Sequence, residues 1–341
     1  MNVAMPSGLP AANRPGDRRG GLTLVELLVV IAIMTVLIGL LVPTVQGVRE
    51  TARQRLCQGN LQMIAQGVAK HDDSLGYVPG WNNRDPGSGA IVGWGVALLP
   101  YIEQTPAYDA FRASGTAALA TAQIATFLCP TALPADIDAV PAQTSYAGSV
   151  GLGTVGLPWA GVMGDTTRVS SRIRLADIDD NTKGGDGTAW TILMAEKCGA
   201  TIGRQAVWTG TLSLVSSGSF LLSNGSTWMP TIQTVLQGQP DAAGRTRPVF
   251  GMNYGGLNTN MVNTDGNLPI NGRNWPHTVP SSLHRGGAMA VFCDGRTRLL
   301  ADRIDTGVYA QIITASHNRA GSLFGWTPKY PLSDADLRDL K

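Results

Sequence analysis

The pattern of apolar and polar positions changes sharply along the chain. From Leu22 to Val42 the sequence is a nearly unbroken apolar run of 21 residues, in which only Thr23, Glu26 and Thr35 are polar. At about 1.5 Å of rise per residue, a helix of this length spans about 31 Å, which matches the hydrocarbon thickness of a bilayer. The pattern therefore predicts a membrane-spanning helix near the N-terminus.

A helical period continues beyond this run. Apolar residues recur mostly at steps of three and four, and they are Val45, Val48, Ala52, Leu56, Leu61, Ile64 and Val68. Because this spacing is typical of one helix face, we expect a single helix over residues 22–72. Gly47, Gly59 and Gly67 and the imperfect heptads argue against a coiled coil. The second half of the helix is therefore expected to pack on the rest of the chain.

After residue 73 the pattern becomes one of short apolar runs between turn residues. The segments "AWTILMAE" and "GAMAVFCDGRTRLL" are bounded by glycine or charge, which predicts strands, and Asp294-Gly295 is a favoured hairpin dipeptide. Forty-two glycines and twenty prolines also favour strands, turns and long loops. Residues 150–164 and 210–274 show no clear period and are expected to be loops or short edge strands.

Charge constrains the chain mainly at its start. The formal net charge is +2, and Arg14, Arg18 and Arg19 against Asp17 supply all of it. The remainder is neutral and lacks the basic surface of a nucleic-acid-binding protein, so no nucleic-acid partner is predicted. Arginines directly before the apolar run place the first 21 residues in the cytoplasm and the residues after Pro43 across the membrane.

The order of small and apolar residues differs from that of an ordinary secretory signal. Such signals have a shorter apolar core followed by a small-residue cleavage site, whereas Gly20-Gly21 precedes the apolar run here. Glu26 lies inside the run, where a carboxylate costs about 2.5–3.5 kcal/mol at mid-membrane and less near an interface. Acids so placed usually have a partner, and the alternative is a carboxylate that reaches the cytoplasmic face.

The string "GGLTLVELLVVIAIMTVLIGLLVP" resembles the N-terminus of type IV prepilins and type II secretion pseudopilins. It contains the cleavage residue Gly21, the new N-terminal residue Leu22, the acid Glu26 four positions later, and Pro43 at the far end. The resemblance implies that a membrane-bound prepilin peptidase cuts after Gly21 and methylates the amine of Leu22. It also implies that Glu26 pairs with the N-terminal amine of a neighbouring subunit during filament assembly.

Later segments resemble a large bacterial family of prepilin-type proteins with a C-terminal domain of unknown function. They occur in the order "ARQRLCQGNLQMIAQGVAKHDDSLGYVPG", "GWGVALLPYIEQTPAYDAF", "FLCP", "SYAGSVG", "RLADIDDNTKGGDGTAWTILMAE" and "LHRGGAMAVFCDGRTRLL". The closing signature of that family is His, nine residues, Asp-Gly, and His284, Asp294 and Gly295 match it. The turn at residues 179–186 is longer than is usual there, and Arg296 replaces a usual serine.

His284 and Asp294 are candidates for an acid–base pair or for metal ligands. No nucleophile elbow, HExxH or phosphate-binding loop accompanies them in the sequence. A hairpin turn at Asp294-Gly295, with His284 bonded to a loop, accounts for these residues without catalysis. We therefore predict no enzymatic activity.

The segment "DIDDNTKGGDG" has oxygen-bearing side chains at alternate positions, and its candidate calcium ligands are Asp177, Asp179, Asn181 and Asp186. It resembles the first half of a calcium loop, and calcium binding is known among major pseudopilins. It departs from the EF-hand because Thr182 stands at the sharp-turn glycine and Thr188 at the bidentate glutamate. A solvated acidic turn is the favoured interpretation, with calcium as the alternative and no other cofactor expected.

The four cysteines are widely spaced and include no CxxC pair, so no structural zinc site is predicted. Cys57 and Cys129 occupy recurring landmarks of the family. A disulfide between them would close a loop of about 72 residues and stabilise the fold by about 4 kcal/mol in the entropic model. Two buried thiols are the alternative.

The expected fold is α+β and pilin-like, with a long N-terminal helix packed on an antiparallel sheet and with long irregular insertions. Residues 1–21 are expected to form a cleaved cytoplasmic leader and residues 22–72 the helix, with residues 22–42 crossing the membrane. Residues 73–341 form the exported body. The middle of that body, residues 199–274, matches no landmark of the family.

The expected function is that of a structural pseudopilin-like subunit or tip component of a type II secretion or type IV pilus-like filament. Its expected partners are prepilin peptidase, other pseudopilin subunits and the inner membrane, which it crosses once with its body in the periplasm before extraction into a cell-envelope filament. The alternative is a membrane-anchored module that binds a glycan or a secreted substrate. Eight tryptophans are spread through the body, and they either pack in the core or stack on sugars.

Overall fold

The computed structural model describes residues 23–119, 122–131, 144–152, 159, 161–180, 184–196, 221–223, 228–234, 280, 282, 284, 286–301, 304, 306–316 and 332–337. The chain divides into two compact units, Met1–Arg49 and Glu50–Lys341. The predicted processing residues Gly21 and Leu22 lie outside the described residues, as does most of the segment 199–274, which matched no landmark in the sequence.

The long apolar run folds as the start of a single helix. This helix, α1, extends over Leu24–Leu75 and is 52 residues long, with Pro43 inside it. By length and composition α1 is able to cross a membrane, and its most apolar window is not buried inside the protein. The helix begins two residues later and ends three residues later than the pattern predicts.

Within the described residues, eight strands form two sheets. Strands β1 (Asn83–Arg84) and β2 (Ile91–Val92) pair in a two-stranded antiparallel ribbon. The strands of the larger sheet are β3 (Tyr146–Leu152), β4 (Ile192–Glu196), β5 (Leu221–Ser223), β6 (Trp228–Thr234), β7 (Gly287–Phe292) and β8 (Thr297–Ala301). Their order is β5-β6-β3-β4-β7-β8, and every neighbouring pair is antiparallel except β3 with β6. The predicted α+β class, with a long helix on a mainly antiparallel sheet, is confirmed.

The described residues also form several 3₁₀ turns and four short α-helices, which are α2 (Trp94–Leu98), α3 (Thr105–Ser114), α4 (Leu175–Asp179) and α5 (Thr306–Ile312). Local sequence explains the bounds of α3. Pro106 lies in its first turn, where a missing N–H costs nothing. Gly115 follows its last residue with a φ of +72°, a left-handed conformation that favours glycine and ends the helix.

The central strands of the large sheet are covered on both faces. The cluster on the α1 side contains residues of the helix and of two strands, among them Leu61, Ile64, Leu193, Met289 and Val291. The cluster on the opposite side joins the same strands to α5 and includes Ala195, Ala290, Phe292, Tyr309 and Ile312. Successive side chains of a strand point to opposite faces of the sheet. Because both faces are covered here, all six residues of β7 are buried.

The buried face of α1 begins later than the apolar period suggests. Leu56 is 58% exposed, whereas Cys57 and Leu61 are fully buried. A step of five residues, as from Leu56 to Leu61, turns a helix by about 140°, whereas a step of four turns it by about 40°. The apolar residues predicted to share one face therefore lie on two faces.

The earlier members of that series form an exposed row, which consists of Val45, Val48, Ala52 and Leu56. The later part of the helix buries Cys57, Leu61, Ile64, Ala65, Gly67, Val68, His71 and Asp72. Cys57 lies one turn before Leu61 and is the first residue of the buried face. The apolar period did not include it, because cysteine is not an aliphatic residue. The helix thus has an outward apolar surface up to Leu56 and an inward one from Cys57.

The substitution Leu61→Ala is expected to lower the free energy of unfolding by about 2–5 kcal/mol, because it removes buried methyl groups and leaves a cavity between α1 and the sheet. Leu56→Ala is the matched control, since it makes the same change on the exposed side of the same helix. It is expected to change the free energy by no more than about 0.5 kcal/mol. Urea unfolding of the detergent-solubilised chain measures both, and equal losses would contradict the assignment of the two faces.

Candidate functional site

The N-terminal end of α1 is closed by reciprocal hydrogen bonds between Thr23 and Glu26. The backbone N–H and the hydroxyl of Thr23 donate to Oε2 of Glu26 at 2.9 and 3.0 Å, and the N–H of Glu26 donates to Oγ1 of Thr23 at 3.3 Å. This is a capping box, which satisfies donors that the first turn of a helix leaves unpaired. The letters "TLVE" carry the motif, and the interpretation of Glu26 as an assembly residue overlooked it.

Glu26 therefore has a partner within its own chain. The bonds of the capping box reach Oε2, and a carboxylate accepts hydrogen bonds at both of its oxygens. An ammonium group from another chain is thus compatible with an intact cap. Replacing Glu26 with glutamine separates the capping role from the proposed assembly role. Glutamine can still form the capping box, but it carries no charge.

Asp294 and Gly295 form the turn between β7 and β8. Oδ1 of Asp294 accepts the N–H of Arg296 at 2.9 Å, and its Oδ2 accepts Nε of the same arginine at 2.6 Å. Gly295 has a φ of +80°, which favours glycine. The hairpin predicted from this dipeptide is confirmed by the antiparallel register of the two strands.

His284, which the sequence grouped with Asp294 and Gly295, lies in a buried cluster. Its Nδ1 is 2.6 Å from Oε1 of Glu50. Its Nε2 is 3.3 Å from Sγ of Cys57, 3.5 Å from Sγ of Cys129 and 3.4 Å from Oε1 of Glu196. We call Cys57, Cys129, Glu196 and His284 the CCEH cluster; all four are buried, and their ligand-type atoms all lie within 4.8 Å of one another.

Four separate segments bring the CCEH cluster together at one end of the sheet. Cys57 lies on the buried face of α1, and Glu196 is the last residue of β4. Cys129 follows the 3₁₀ turn Ala125–Phe127, and His284 lies three residues before β7. Among the residues that the structure describes, the CCEH cluster is the one group of three or more His, Cys, Asp or Glu side chains whose ligand atoms are close enough to share a metal ion.

The carboxylate of Glu196 is held by one oxygen and presents the other to the cluster. Antiparallel pairing places Glu196 opposite Tyr146 on β3. Its Oε2 accepts the backbone N–H of Met289 at 2.9 Å. Its Oε1 is buried and has no hydrogen-bond partner, although it lies 3.4 Å from Nε2 of His284. A buried carboxylate oxygen is costly unless a positive group faces it.

Burial and hydrogen bonding alter the protonation of the cluster. The hydrogen bond to Cys129, together with burial, raises the pKa of the Cys57 thiol. Burial acts to lower the pKa of His284, but the contacts with Cys129 and Glu50 and the nearby charge of Glu196 outweigh it, so that the pKa of His284 is raised overall. In the absence of another cation, an imidazolium at His284 faces the carboxylates of Glu50 and Glu196.

Cys57 and Cys129 are both buried, and no disulfide joins them in this structure. This is the second of the two arrangements that the sequence left open, and the predicted disulfide is not formed. Asn60, one turn after Cys57 on α1, donates from Nδ2 to the backbone oxygen of Leu128 at 2.8 Å. That bond links the helix to the backbone next to Cys129 without a covalent bridge.

The candidate calcium ligands are described in part, because Asn181 lies outside the described residues. Oδ1 of Asp179 accepts the N–H and the hydroxyl of Thr188, both at 3.3 Å. Oδ2 of Asp186 accepts the hydroxyl of Thr314 at 3.0 Å. These two carboxylates thus bind protein donors from different segments, and calcium binding at this turn stays a prediction.

Comparison with protein families assigns the two parts of the chain separately. Residues 46–307 match the model of a family described as a protein of unknown function, DUF1559. The chain belongs to the DUF1559 family. Residues 16–42 match the prokaryotic N-terminal methylation motif, which confirms the prepilin-type resemblance of the N-terminus. No curated protein and no solved structure matches the chain.

Sequence reasoning had singled out three members of the CCEH cluster and missed Glu196. Cys57, Cys129 and His284 were noted in the sequence, but their separations of 227 and 155 residues from the histidine are far from the short spacings of zinc motifs. Glu196 ends the strand "ILMAE", all five residues of which are buried. A charged residue that closes a wholly buried strand is the signal that identifies it, since such a charge requires a partner.

The substitution Gly295→Ala is expected to destabilise the body by about 1–2 kcal/mol, because alanine is strained in the left-handed conformation of the hairpin turn. Gly59→Ala is the matched control: an added Cβ meets no neighbouring atom at either glycine, but Gly59 is helical. Alanine at position 59 is expected to stabilise by about 0.5–1 kcal/mol. Thermal unfolding measures both, and a shift of the same sign in the two variants would contradict the backbone argument.

Proposed function

We propose that the protein is a pseudopilin-like subunit of a type II secretion or type IV pilus-like filament, where it acts in the shaft or at the tip. The observation that carries this proposal is the N-terminal methylation motif at residues 16–42, within which the long helix α1 begins at Leu24. That motif indicates a processed, pilin-type subunit and favours a structural protein over a catalytic one. The finer assignment to a pseudopilin rests on the arguments that follow.

The membrane arrangement follows from the distribution of charge and apolar surface. Residues 1–21 form a basic cytoplasmic leader, and prepilin peptidase cuts after Gly21 and methylates the amine of Leu22. Residues 22–42 cross the inner membrane once, and residues 73–341 form the body in the periplasm. The positive residues that precede the apolar run support this orientation.

Assembly is driven by packing between α1 helices of different subunits. The side chains from Leu24 to Val42 are exposed all around the helix, so they need lipid before assembly and other helices after it. The exposed row at Val45, Val48, Ala52 and Leu56 extends this apolar surface beyond the membrane span. From Cys57 onward the buried face of the helix is occupied by its own sheet, so contacts between subunits use the part that precedes it.

Glu26 aligns the subunits within this packing. Cleavage after Gly21 creates a positively charged amine at Leu22, close to the first turn of α1. In lipid the cost of the Glu26 carboxylate falls when such an amine from a neighbouring subunit meets it. The capping box with Thr23 holds the carboxylate at the helix start, which places it for that contact.

The alternative, an anchored module that binds a glycan, has weaker support. Aromatic rings that bind sugars by stacking must be exposed. Of the four tryptophans whose side chains the structure describes, Trp81 and Trp94 are buried, and Trp159 and Trp190 are partly buried. These four rings therefore offer little open surface for a sugar, and the structural assignment is preferred.

The mature protein is expected to begin at methylated Leu22. Intact-mass and peptide mass spectrometry of the chain purified from membranes of a host with prepilin peptidase measures this. The matched control is Gly21→Ala, which alters the residue before the cut and is expected to leave the leader on the chain. A mature N-terminus at Met1, or one that follows Val42, would contradict the proposed processing.

The substitution Glu26→Gln is expected to leave membrane insertion intact and to abolish incorporation into filaments, because it removes the charge and retains the helix cap. Thr23→Ala is the complementary variant: it breaks the cap, at a cost of about 0.5–2 kcal/mol to the helix, and keeps the charge. It is expected to incorporate. The measurement is the amount of each variant in sheared filaments relative to membranes, after mass spectrometry has shown that both are processed.

Equal incorporation of Glu26→Gln and the wild type would contradict the assembly role of the charge. Loss of incorporation in Thr23→Ala alone would assign the residue pair to helix capping instead. A wild-type chain that stays wholly in the membrane fraction, under conditions where filaments form, would favour the anchored binding module.

A further inference from the structure

We infer that the CCEH cluster is a tetrahedral zinc site that links α1 to the large sheet. Cys57 and Cys129 supply two sulfurs, His284 an imidazole nitrogen and Glu196 a carboxylate oxygen, all within 4.8 Å of one another. These are the ligand types that proteins use for zinc, and structural zinc sites have four of them and no open position. This inference replaces the prediction from sequence, which excluded a structural zinc site because the cysteines are widely spaced.

The distances between the ligand atoms are those that a shared ion requires. With zinc bonds of about 2.3 Å to sulfur and about 2.0–2.2 Å to nitrogen and oxygen, the atoms at the corners of a tetrahedron are about 3.4–3.8 Å apart. Nε2 of His284 is 3.3 Å from Sγ of Cys57, 3.5 Å from Sγ of Cys129 and 3.4 Å from Oε1 of Glu196. The distances among the two sulfurs and the carboxylate oxygen are no longer than 4.8 Å, so side-chain shifts of about 1 Å or less bring all four atoms to zinc-binding distance.

The histidine is oriented for coordination by its other nitrogen. Nδ1 lies 2.6 Å from Oε1 of Glu50, so Nδ1–H donates to that carboxylate and the lone pair of Nε2 faces the cluster. A carboxylate that receives the second N–H of a histidine is the usual support of a histidine ligand to zinc. Glu50 and Cys57 are two helical turns apart on α1, and both reach the same imidazole ring.

The carboxylate of Glu196 provides an independent indication of a cation. Its Oε2 accepts the N–H of Met289, whereas its buried Oε1 has no hydrogen-bond partner and is directed at the cluster. A buried oxygen of this kind is expected to be a metal ligand or to face another positive charge. The side chain of Glu196 is fully buried, so water from bulk solvent does not reach Oε1 to bind it.

The charges and the softness of the donors select the ion. Two thiolates and one carboxylate carry three negative charges, and a divalent cation offsets two of them in a site that water does not reach. Thiolate and imidazole ligands suit zinc, whereas calcium and magnesium prefer oxygen ligands alone. The CCEH cluster is thus chemically distinct from the acidic segment around Asp177, Asp179 and Asp186, where calcium was the alternative to a solvated turn.

The site is structural in character. Four protein ligands complete the coordination of zinc, which leaves no position for a reacting water molecule. The ion joins chain positions up to 227 residues apart and connects the helix at Cys57 to strand β4 and to the segment before β7. It thereby resists separation of the helix from the sheet, independently of whether the chain enters a filament.

Elemental analysis of the purified full-length chain in detergent is expected to find one zinc per chain. The variant Cys57→Ser is expected to reduce the bound zinc at least tenfold. Cys293→Ala is the matched control, since Cys293 is also a buried free cysteine but lies outside the cluster, and it is expected to retain the zinc. Retention of zinc in Cys57→Ser at the wild-type level would overturn the proposal.

A second measurement uses the wild-type chain, so that a poorly folding variant does not decide the matter. After removal of zinc with a chelator and addition of cobalt alone, the chain is expected to show the intense visible absorption of tetrahedral cobalt with sulfur-to-cobalt charge transfer. Weak absorption typical of six oxygen ligands would overturn the proposal. So would a metal-free chain whose peptide map shows a disulfide between Cys57 and Cys129, and so would a metal-free chain with both thiols reduced.

Discussion

The contact between the inward face of α1 and the large sheet is the interaction on which the rest of the structure depends. From Cys57 to Val68 the helix buries a continuous apolar face in one cluster with residues of β4 and β7. Each fully buried Leu, Ile or Val there contributes about 1.5–3 kcal/mol of transfer free energy. The same contact places Cys57 beside His284, so the polar cluster exists because the helix packs in this register. A rotation of the helix by one residue would remove the sulfur from the cluster and expose Leu61.

The helix divides its apolar surface between two environments. Up to Leu56 its large apolar side chains are exposed, and an exposed apolar surface of this extent on a soluble protein marks a site of contact with membrane or protein. From Cys57 its inward face is buried against the sheet. The methylation motif at residues 16–42 explains the exposed part, because a pilin-type subunit exchanges lipid for neighbouring helices. The capping box of Thr23 and Glu26 begins the same helix, so the helix cap and the proposed assembly charge belong to one side chain.

The CCEH cluster is a polar group inside an otherwise apolar layer. Such a group lowers stability unless its charges are compensated, and a single buried carboxylate left unpaired would be strongly destabilising. The supporting bonds are arranged around it: Glu50 receives Nδ1–H of His284, and the backbone of Met289 holds Glu196. A shared zinc ion accounts for the two sulfurs, Nε2 of His284 and the buried Oε1 of Glu196 together. By contrast, Asp294 and Gly295 act locally, in the turn between β7 and β8.

Local sequence determined the features that depend on neighbouring residues. The apolar run predicted the long helix, Asp294-Gly295 predicted the hairpin, and "ILMAE" and "GAMAVF" predicted two central strands, because periodicity and turn chemistry act over a few residues. The capping box was also present in the letters "TLVE". Tertiary structure alone decided which face of α1 is buried, the parallel pairing of β3 with β6, and the meeting of Cys57, Cys129, Glu196 and His284. These depend on strand order and helix docking across as many as 227 residues, and no pattern of local spacing reports contacts over that distance.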